Sequence, residues 1–476
     1  MAAPASVPGP LDVRRAGVLL HITSLPPSAS SPAGGDLGPE AYRFVDFLAA
    51  AGCTVWQVLP LVPTNESDRS PYNALSAMAG NPELISSELC AERGLSGPED
   101  LDAERLSAFV AWCKENDDWL DPYVEFIALR ELLDRTQWPT WEPGLRDRDP
   151  DRVAEVLAPY AHRTLQLRFE QWVFAGQWAD LRAYAAERGV LFFGDLPIFV
   201  SHDSADVWAS RELFELDETG RPTTVSGVPP DYFAVEGQRW NNPHYDWKTM
   251  AADGFAWWRR RIARQRELFD LVRIDHFRGF EAAWHVPDEA PTAKDGRWVK
   301  GPGGDLLEAL IETAGAGTLV AEDLGVITAE VDSLRLEFGL PGMKVLQFAF
   351  DGEEDNPYLP ARHGEQSVVY TGTHDNDTTV GWWAEADVKT RARVRAMVEQ
   401  DEPMPWALIR LALSSTARLA VLPAQDLLEL DSGSRMNTPG TDEGNWAWQA
   451  RTSAFDERVA ARMRDLVTAS DRLPMQ

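Results

Sequence analysis

The sequence predicts an α/β protein of the (β/α)8 or TIM-barrel class, and three observations support that prediction. Eight short apolar runs have strand character. Longer stretches with helical periodicity separate most of them, as parallel strands require. Several runs end in an acidic residue, at the strand ends where barrel active sites form. The eight strands are expected near positions 18, 56, 192, 273, 320, 345, 369 and 420.

The length of the chain fits this prediction. Its 476 residues, 44% of them hydrophobic, could form one barrel with large insertions or two to three smaller domains. The alternation of strands and helices favours the single barrel. We expect a disordered leader over residues 1–10, which are rich in proline and small side chains, and one barrel over residues 11–476 with no separate C-terminal β-domain.

The first strand, helix and second strand illustrate the pattern. Residues 17–22 form an apolar run that ends at a Thr-Ser-Leu-Pro-Pro loop signal. Residues 38–51 carry apolar side chains at helical spacing, and Gly52 is suited to end that helix. Residues 54–59 are the second strand. The short connections between them are typical of a parallel sheet.

Two insertions are expected in the barrel. Residues 67–165, after the second strand, are mostly helical in character and rich in acidic residues and tryptophan. Residues 200–253, after the third strand, have few periodic segments but many glycines, prolines and aromatic residues. A loop of that length is usually functional or disordered, and its aromatic content argues against disorder.

Composition excludes several classes of partner. The chain has 45 basic and 75 acidic residues, a net charge of -30, which disfavours nucleic acid and anionic membrane surfaces. No apolar run is long enough to span a membrane. The cysteines Cys53, Cys90 and Cys113 are few and widely spaced, which indicates neither a disulfide framework nor a zinc site and favours a cytoplasmic location. Nineteen tryptophans favour a ligand with flat apolar faces, such as a sugar.

Acidic residues end several of the predicted strands: Asp195, Asp275, Glu322 and Asp375. Residues 271–279 are the most informative stretch, because side chains alternate along a strand and Arg273 therefore shares a face with Asp275. By itself this pair is explained at least as well by a structural ion pair as by catalysis. The other acids, which a barrel would bring to the same end, favour a site.

Several carboxylates at one cavity allow three interpretations. A divalent metal site would usually bring clustered histidines, whereas His21, His202, His276 and His374 are scattered. Glycoside chemistry pairs one ionised carboxylate with one protonated carboxylic acid, and the tryptophan content favours it. The third interpretation is a ligand-binding barrel without chemistry.

Three strings resemble the catalytic motifs of the 4-α-glucanotransferases, the amylomaltases or disproportionating enzymes of glycoside hydrolase family 77 in the α-amylase superfamily. They are Arg-Ile-Asp-His-Phe-Arg-Gly at 273–279, Ala-Glu-Asp-Leu-Gly at 321–325 and Thr-His-Asp-Asn-Asp at 373–377. Further strings match in the same order, at 17–26, 70–72, 79–82, 194–200, 230–233 and 435–441. So many ordered matches are unlikely to be accidental.

The resemblance implies transfer of α-1,4-glucan segments to the 4-hydroxyl of an acceptor glucan or glucose, with retention of configuration. Asp275 would be the nucleophile, Glu322 the general acid and then base, and Asp375 the carboxylate that holds and distorts the donor sugar. Retention predicts that the carboxyl groups of Asp275 and Glu322 lie about 5 to 5.5 Å apart. Arg273 is then expected to keep Asp275 ionised at neutral pH, and a drier, less cationic surrounding to raise the pKa of Glu322.

The resemblance also implies a set of substrate-binding residues and no metal or organic cofactor. Three aromatic residues of the set match a loop that covers the cleft in this family and limits the access of water. The expected partners are α-1,4-glucan oligosaccharides and glucose, and the expected state is a monomer or weak homodimer. A hydrolase of the same superfamily and an inactive glucan-binding barrel are the alternatives. The binding set is Ser70, Tyr72, Asp195, Tyr232, Phe233, Trp240, Arg273, His374 and Asn437.

The chain departs from the family pattern in the loop that covers the cleft. Where the family commonly has Gly-Gln-x-Trp-Gly-Asn-Pro, residues 237–243 read Gly-Gln-Arg-Trp-Asn-Asn-Pro. Asn241 thus replaces a glycine, and we expect a positive φ there, which asparagine tolerates better than most residues. Glu236 adds a charge beside the loop.

Overall fold

The structure is a computed structural model that describes residues 9–27, 34–65, 68–230, 235–399, 402–441 and 443–473. The expected leader therefore lies largely outside the described residues. Within them the chain forms two sheets. The strands are β1 Arg15–Leu19, β2 Val55–Gln57, β3 Leu191–Pro197, β4 Thr224–Val228, β5 Gln238–Pro243, β6 Leu271–Asp275, β7 Ala282–Pro287, β8 Arg297–Lys300, β9 Leu319–Ala321, β10 Gly342–Val345, β11 Ser367–Tyr370 and β12 Leu419–Pro423.

Helices lie in the segments of the chain that connect the strands of the larger sheet. α1 shows how the sequence sets their limits, because Pro39 occupies the first turn, where no amide hydrogen is needed, and Gly52 ends the helix with φ +73°. The helices are α1 Pro39–Ala51, α2 Ser87–Glu92, α3 Ala103–Glu115, α4 Asp117–Leu132, α5 Pro143–Arg146, α6 Pro150–Leu157, α7 Ala161–Glu187, α8 Ala205–Ala209, α9 Trp247–Ala252, α10 Ala256–Leu268, α11 Gly304–Ala314, α12 Ala329–Glu337, α13 Thr379–Glu385, α14 Val388–Met397, α15 Trp406–Ser414, α16 Ala424–Leu427 and α17 Glu457–Ala469.

The larger sheet confirms the predicted barrel. Its eight strands are parallel and follow the order β10-β11-β12-β1-β2-β3-β6-β9. The two outer strands of this order also meet, because the Ala321 N–H donates to the Pro341 carbonyl at 2.8 Å and the Met343 N–H donates to Asp323 Oδ1 at 2.7 Å. The sheet is thus nearly closed, and all eight strand predictions correspond to its members.

Alternation along the strands separates an inner from an outer core. Leu271 and Val320 belong to the cluster inside the barrel, whereas Val272, Ile274 and Ala321 pack with the helices outside. Positions 273 and 275 share the parity of Leu271, and position 322 shares that of Val320. The charged side chains of these strands therefore lie on the barrel's inner face, as the alternation predicted.

The segment between β2 and β3 carries the helices from α2 to α7. The longest of them, α7, packs against α3 and α4 of the same segment and against α1 of the barrel. No described helix is long and apolar enough to cross a membrane. The thiols of Cys53, Cys90 and Cys113 are free.

The smaller sheet is antiparallel, in the order β5-β4-β7-β8. β4 and β5 come from residues 200–253, where the sequence indicated loops, and β7 and β8 follow β6. The sequences of β4 and β5 lack the apolar alternation that predicts a strand, because β5 is largely polar and β4 contains Gly227. A Cβ at Gly227 would lie 2.2 Å from the Gln238 carbonyl oxygen, so the close approach of β4 to β5 requires glycine there.

Candidate active site

Arg273 joins two carboxylates at the carboxyl ends of β3 and β6. It lies opposite Asp195 in the strand register, and its guanidinium is buried. One Nη atom donates to Asp195 Oδ2, and the other donates to Asp275 Oδ1 at 2.8 Å. One cation is therefore shared by a fully buried aspartate and by Asp275, whose side chain remains 28% exposed.

Glu322 directly follows β9 and lies beside the end of β6. Its own N–H donates to the Ile274 carbonyl at 3.0 Å, which continues the pairing of the two strands. Its carboxylate accepts hydrogen bonds from two backbone amides, that of His276 at 2.7 Å and that of Leu324 at 2.7 Å. Adjacent parallel strands lie about 4.8 Å apart, so Asp275 and Glu322 are neighbours across one strand spacing.

Asp375 lies in the loop after β11 and is held by polar contacts. Asn437 Nδ2 donates to its Oδ1 at 2.6 Å, and His374 Nε2 lies 3.2 Å from its Oδ2. Arg435 donates to its backbone carbonyl at 3.0 Å. The loop geometry and the amide of Asn437 thus fix a carboxylate that stays 41% exposed to the cleft.

Tyr72 connects this group to Asp195. Its hydroxyl donates to Asp195 Oδ2 at 2.8 Å and lies 3.0 Å from His374 Nε2. The rings of Tyr72 and His374 stack, with centroids 5.3 Å apart. Burial raises the pKa of Tyr72 well above its usual value and lowers the pKa of His374, so both side chains are neutral hydrogen-bonding groups at neutral pH. Ser70 Oγ accepts a hydrogen bond from the Tyr72 N–H at 3.3 Å.

Trp240, on β5, reaches the site through a histidine. Its ring meets His276 edge to face, with centroids 4.8 Å apart. His276 has φ +52°, and its N–H is one of the two donors to Glu322. The neighbouring Asn241 has φ +64°, which confirms the expected positive φ. Glu236 pairs with the Lys294 ammonium.

The other two residues predicted in the covering loop, Tyr232 and Phe233, lie outside the described residues. The structure therefore brings together Asp195, Arg273, Asp275, Glu322, His374, Asp375 and Asn437 with Tyr72, Ser70 and Trp240 around one end of the barrel.

The expected effect of Arg273 on Asp275 requires a correction. Burial raises the pKa of Asp275 to about 8, and the carboxylates of Asp195, Glu322 and Asp375 act in the same direction, while Arg273 opposes them. The sequence could not indicate that Arg273 also bonds to Asp195. The negative charge of Asp195 offsets part of the effect of Arg273 on the pKa of Asp275. Arg273 therefore lowers the pKa of Asp275 without keeping it in the usual acidic range.

The pKa of Glu322 is raised, as expected, and burial is the main cause. Arg273 and the hydrogen bonds from the backbone amides of Leu324 and His276 lower the pKa of Glu322 and so oppose the effect of burial. Glu322 is therefore buried, as expected, but it still feels a nearby cation. Because ionising one carboxyl makes ionising its neighbour harder, we infer that Asp275 and Glu322 together retain a proton at neutral pH.

Some neighbours of the site were not identified from the sequence. His276 and Arg435 lie within strings already noted, but the pattern did not indicate their roles. The backbone N–H of His276 donates to Glu322, and the guanidinium of Arg435 donates to the backbone carbonyl of Asp375. Trp446 lies beyond the last string, and its ring approaches those of Tyr72 at 5.7 Å and His374 at 6.0 Å. In the described part of the chain, no group of three or more His, Cys, Asp or Glu side chains could hold a metal ion.

Paired carboxyls on neighbouring strand ends of a (β/α)8 barrel, with a third carboxylate beside them, are typical of enzymes that act on glycosidic bonds. Comparison with known proteins refines this class. The glycoside hydrolase 77 model, described as 4-alpha-glucanotransferase, matches residues 20–104 and 89–454. The chain belongs to the 4-alpha-glucanotransferase family.

Individual relatives agree over nearly the whole chain. The 4-alpha-glucanotransferase of Thermus thermophilus is 45% identical, over 97% of this chain and 99% of that protein. The enzyme of the same name from Synechocystis is 44% identical, over 95% of this chain and 97% of that protein. A solved structure, amylomaltase from Streptococcus agalactiae in complex with acarbose, superposes with a TM-score of 0.92 at 31% identity, covering 97% of this chain and 100% of that one.

Proposed function

We propose that the chain transfers α-1,4-glucan segments from a maltooligosaccharide or starch donor to the 4-hydroxyl of an acceptor glucan or glucose. The observation that carries the proposal is the pairing of Asp275 and Glu322 on neighbouring strand ends, bound respectively to Arg273 and to two backbone amides. Close relatives named 4-alpha-glucanotransferase support transfer over hydrolysis. The acarbose complex of an amylomaltase supports an oligosaccharide ligand.

In the first half-reaction, a carboxylate oxygen of Asp275 attacks C1 of the donor sugar. The bond between C1 and the glycosidic O4 breaks, and Glu322 donates its proton to that oxygen, so a shortened glucan leaves with a free 4-hydroxyl. The product on the enzyme is a glycosyl ester of Asp275. This mechanism predicts a separation of about 5 to 5.5 Å between the two carboxyl groups.

In the second half-reaction, the 4-hydroxyl of the acceptor attacks C1. Its proton passes to Glu322, now the base, and the ester bond to Asp275 breaks. Two inversions at C1 retain the α configuration, and both carboxyl groups return to their starting protonation states. The productive state has its proton on Glu322 and a negative Asp275. Arg273 supports this state because it bonds directly to Asp275, whereas it reaches Glu322 only through space.

The donor sugar would be held by the polar residues around Asp375. Asn437 and His374 orient that carboxylate, and Tyr72 with Asp195 extends the same hydrogen-bonded group toward Arg273. A carboxylate that remains exposed while two neighbours hold it can accept hydrogen bonds from sugar hydroxyls without first reorganising. This supports a role for Asp375 in holding and distorting the donor sugar.

The remaining predicted residues fit supporting roles. Ser70 accepts the Tyr72 N–H and so positions that ring. Trp240 covers His276, next to Glu322, and we assign it, with Tyr232 and Phe233, to a cover that favours sugar hydroxyls over water. Free thiols at Cys53, Cys90 and Cys113 are compatible with the expected reducing cytoplasm.

Incubation with maltotriose tests the proposal. Glucose together with oligomers longer than maltotriose is the expected product ladder, and the new linkages should all be α-1,4 by nuclear magnetic resonance. Only shorter sugars would contradict transfer and favour a hydrolase. No product at all would favour a glucan-binding barrel without chemistry, provided that Asp275→Asn and Glu322→Gln then leave glucan binding unchanged.

A further inference from the structure

We propose that Trp298, on β8 of the smaller sheet, forms a stacking contact for the acceptor glucan beyond the sugar that receives the transferred segment. The contact would select longer acceptors over glucose. This inference rests on the proposed function, and it concerns a residue that lies outside the strings that resemble the family motifs.

The position of Glu322 defines the acceptor side of the cleft. The general acid protonates the glycosidic oxygen between the donor and the departing chain, and later deprotonates the hydroxyl that replaces it. The acceptor must therefore lie next to Glu322, on the side away from Asp375 and its partners. We place the continuation of this side along the loop that follows Glu322.

Arg278 links that loop to the segment after Asp275. It lies three residues beyond Asp275 and is only 5% exposed, and its Nη1 donates to the carbonyl of Val326 in the loop after Glu322. Its guanidinium lies over the ring of Trp298, 3.7 Å from the ring centroid. Trp298 is thus joined through one side chain to both segments that carry the reacting carboxyl groups.

The ring of Trp298 is exposed and yet held in place. It is 40% exposed, although Arg278 covers it at cation–π distance. Trp284, which pairs with it across β7 and β8, contacts it edge to face at 5.1 Å, and the Trp284 indole N–H is itself fixed by the Ala293 carbonyl at 2.8 Å. A ring held in this way loses little conformational entropy on binding.

The chemistry of this surface suits a glucan. A pyranose presents an apolar C–H face that gains from contact with a flat aromatic ring, and its hydroxyls point outward to water. Val326, 57% exposed, adds apolar surface beside Arg278. A stacking ring at this distance from the reacting carboxyl groups discriminates by chain length, because only an acceptor long enough to reach it gains the contact.

The test compares acceptors of different length. Trp298→Ala and Trp298→Leu are expected to lower the ratio of kcat/KM for maltoheptaose to kcat/KM for glucose about tenfold, mainly through the KM of maltoheptaose. Trp298→Phe keeps an aromatic face and should restore most of the ratio. Tyr160→Ala, which removes a 41% exposed aromatic ring from the helical segment, is the matched control and should leave the ratio unchanged.

Each outcome decides the inference. An unchanged ratio in Trp298→Ala, equal losses for both acceptors, or recovery by leucine as well as by phenylalanine would overturn it. A thermal melt of each variant shows whether the sheet still folds, and a variant that unfolds is replaced in the comparison by Trp298→Leu or Trp298→Phe. If the wild type makes no oligomer longer than maltotriose, the proposed function itself fails. That result is distinct from a failure of the inference about Trp298, which appears only in the ratio measured for the variants.

Discussion

The two sides of the cleft are built in different ways. On the side proposed to hold the donor, side chains from distant parts of the chain bond to one another, as Tyr72 does to Asp195 and His374 across 123 and 302 residues. On the side proposed to hold the acceptor, backbone amides hold Glu322. The aromatic rings there lie one residue further out, because Trp240 contacts His276 and Trp298 lies against Arg278. The donor side is polar and closely connected, whereas the acceptor side is aromatic and rests on the small antiparallel sheet.

This difference matches the two tasks of a transferase. The donor sugar must be held in one reactive orientation, which directional hydrogen bonds and a fixed carboxylate provide. The acceptor varies in length and must enter and leave, and flat apolar contacts tolerate such variation. The carboxyl pair lies where the two sides meet.

The largest expected effect comes from removing either reacting carboxyl group. Asp275→Asn and Glu322→Gln should each lower kcat for maltotriose disproportionation by about 10⁴-fold or more, because each removes a group that the transition state requires. Melting curves matched to the wild type would exclude misfolding. Residual activity within tenfold of the wild type in either variant would contradict the assigned roles.

On the donor side, Tyr72→Phe isolates one hydrogen-bonding hydroxyl. The ring and its stacking on His374 remain, while the donor to Asp195 is lost. A hydrogen bond to a charged group contributes about 1.5 to 3 kcal/mol, so kcat/KM should fall about 10- to 100-fold. Tyr160→Phe, outside the cleft contacts, serves as the control. Equal losses in the two variants would show that the donor-side bonds do not carry the effect.

On the acceptor side, Trp240→Ala should shift the alkaline limb of the kcat/KM profile to lower pH. Removing the ring uncovers His276, whose N–H donates to Glu322, and we expect the water admitted there to reduce the burial that raises the pKa of Glu322. The protonated form of Glu322 would then be lost at lower pH. We expect a loss of about 5- to 10-fold in kcat, since Glu322 itself remains. Trp240→Phe should restore most of the kcat and return the alkaline limb close to its position in the wild type. A loss of activity with an unchanged pH profile would argue against a link through His276.

The smallest expected effect concerns stability. Burial raises the pKa of Asp275 to about 8, and its pair with Glu322 keeps a proton that the unfolded chain would release, so the wild type loses stability as the pH rises from about 4 to 8. Asp275→Asn removes this titration. Its melting temperature relative to the wild type should therefore increase by about 5 °C between pH 4 and pH 8, since each pKa unit is worth about 1.4 kcal/mol and a chain of this length shifts by about 1 °C per kcal/mol. Glu322→Asp, which keeps a titrating pair, is a useful comparison, and a pH-independent difference for Asp275→Asn would contradict the raised pKa.

The barrel was predictable because its signals are local. Strand and helix periodicities, helix-ending glycines and strand-end acids all follow from contacts within a few residues, and alternation along a strand correctly placed Arg273, Asp275 and Glu322 on the inner face. The family motifs then brought the acids and most of their partners into one hypothesis. The smaller sheet was missed because polar, glycine-containing strands such as β4 and β5 take their stability from pairing with distant segments rather than from their own pattern.

The sequence by itself determined the fold class and the family, and it predicted the three carboxylates. Only the tertiary structure decided how charge is distributed among them, because the sharing of Arg273 with Asp195 and the two amide bonds to Glu322 depend on the distances between separate strands. The same holds for Trp298. A tryptophan in a short polar strand carries no local signal of its role, and its stacking on Arg278 exists only once β8 folds back over the segment that follows the candidate nucleophile.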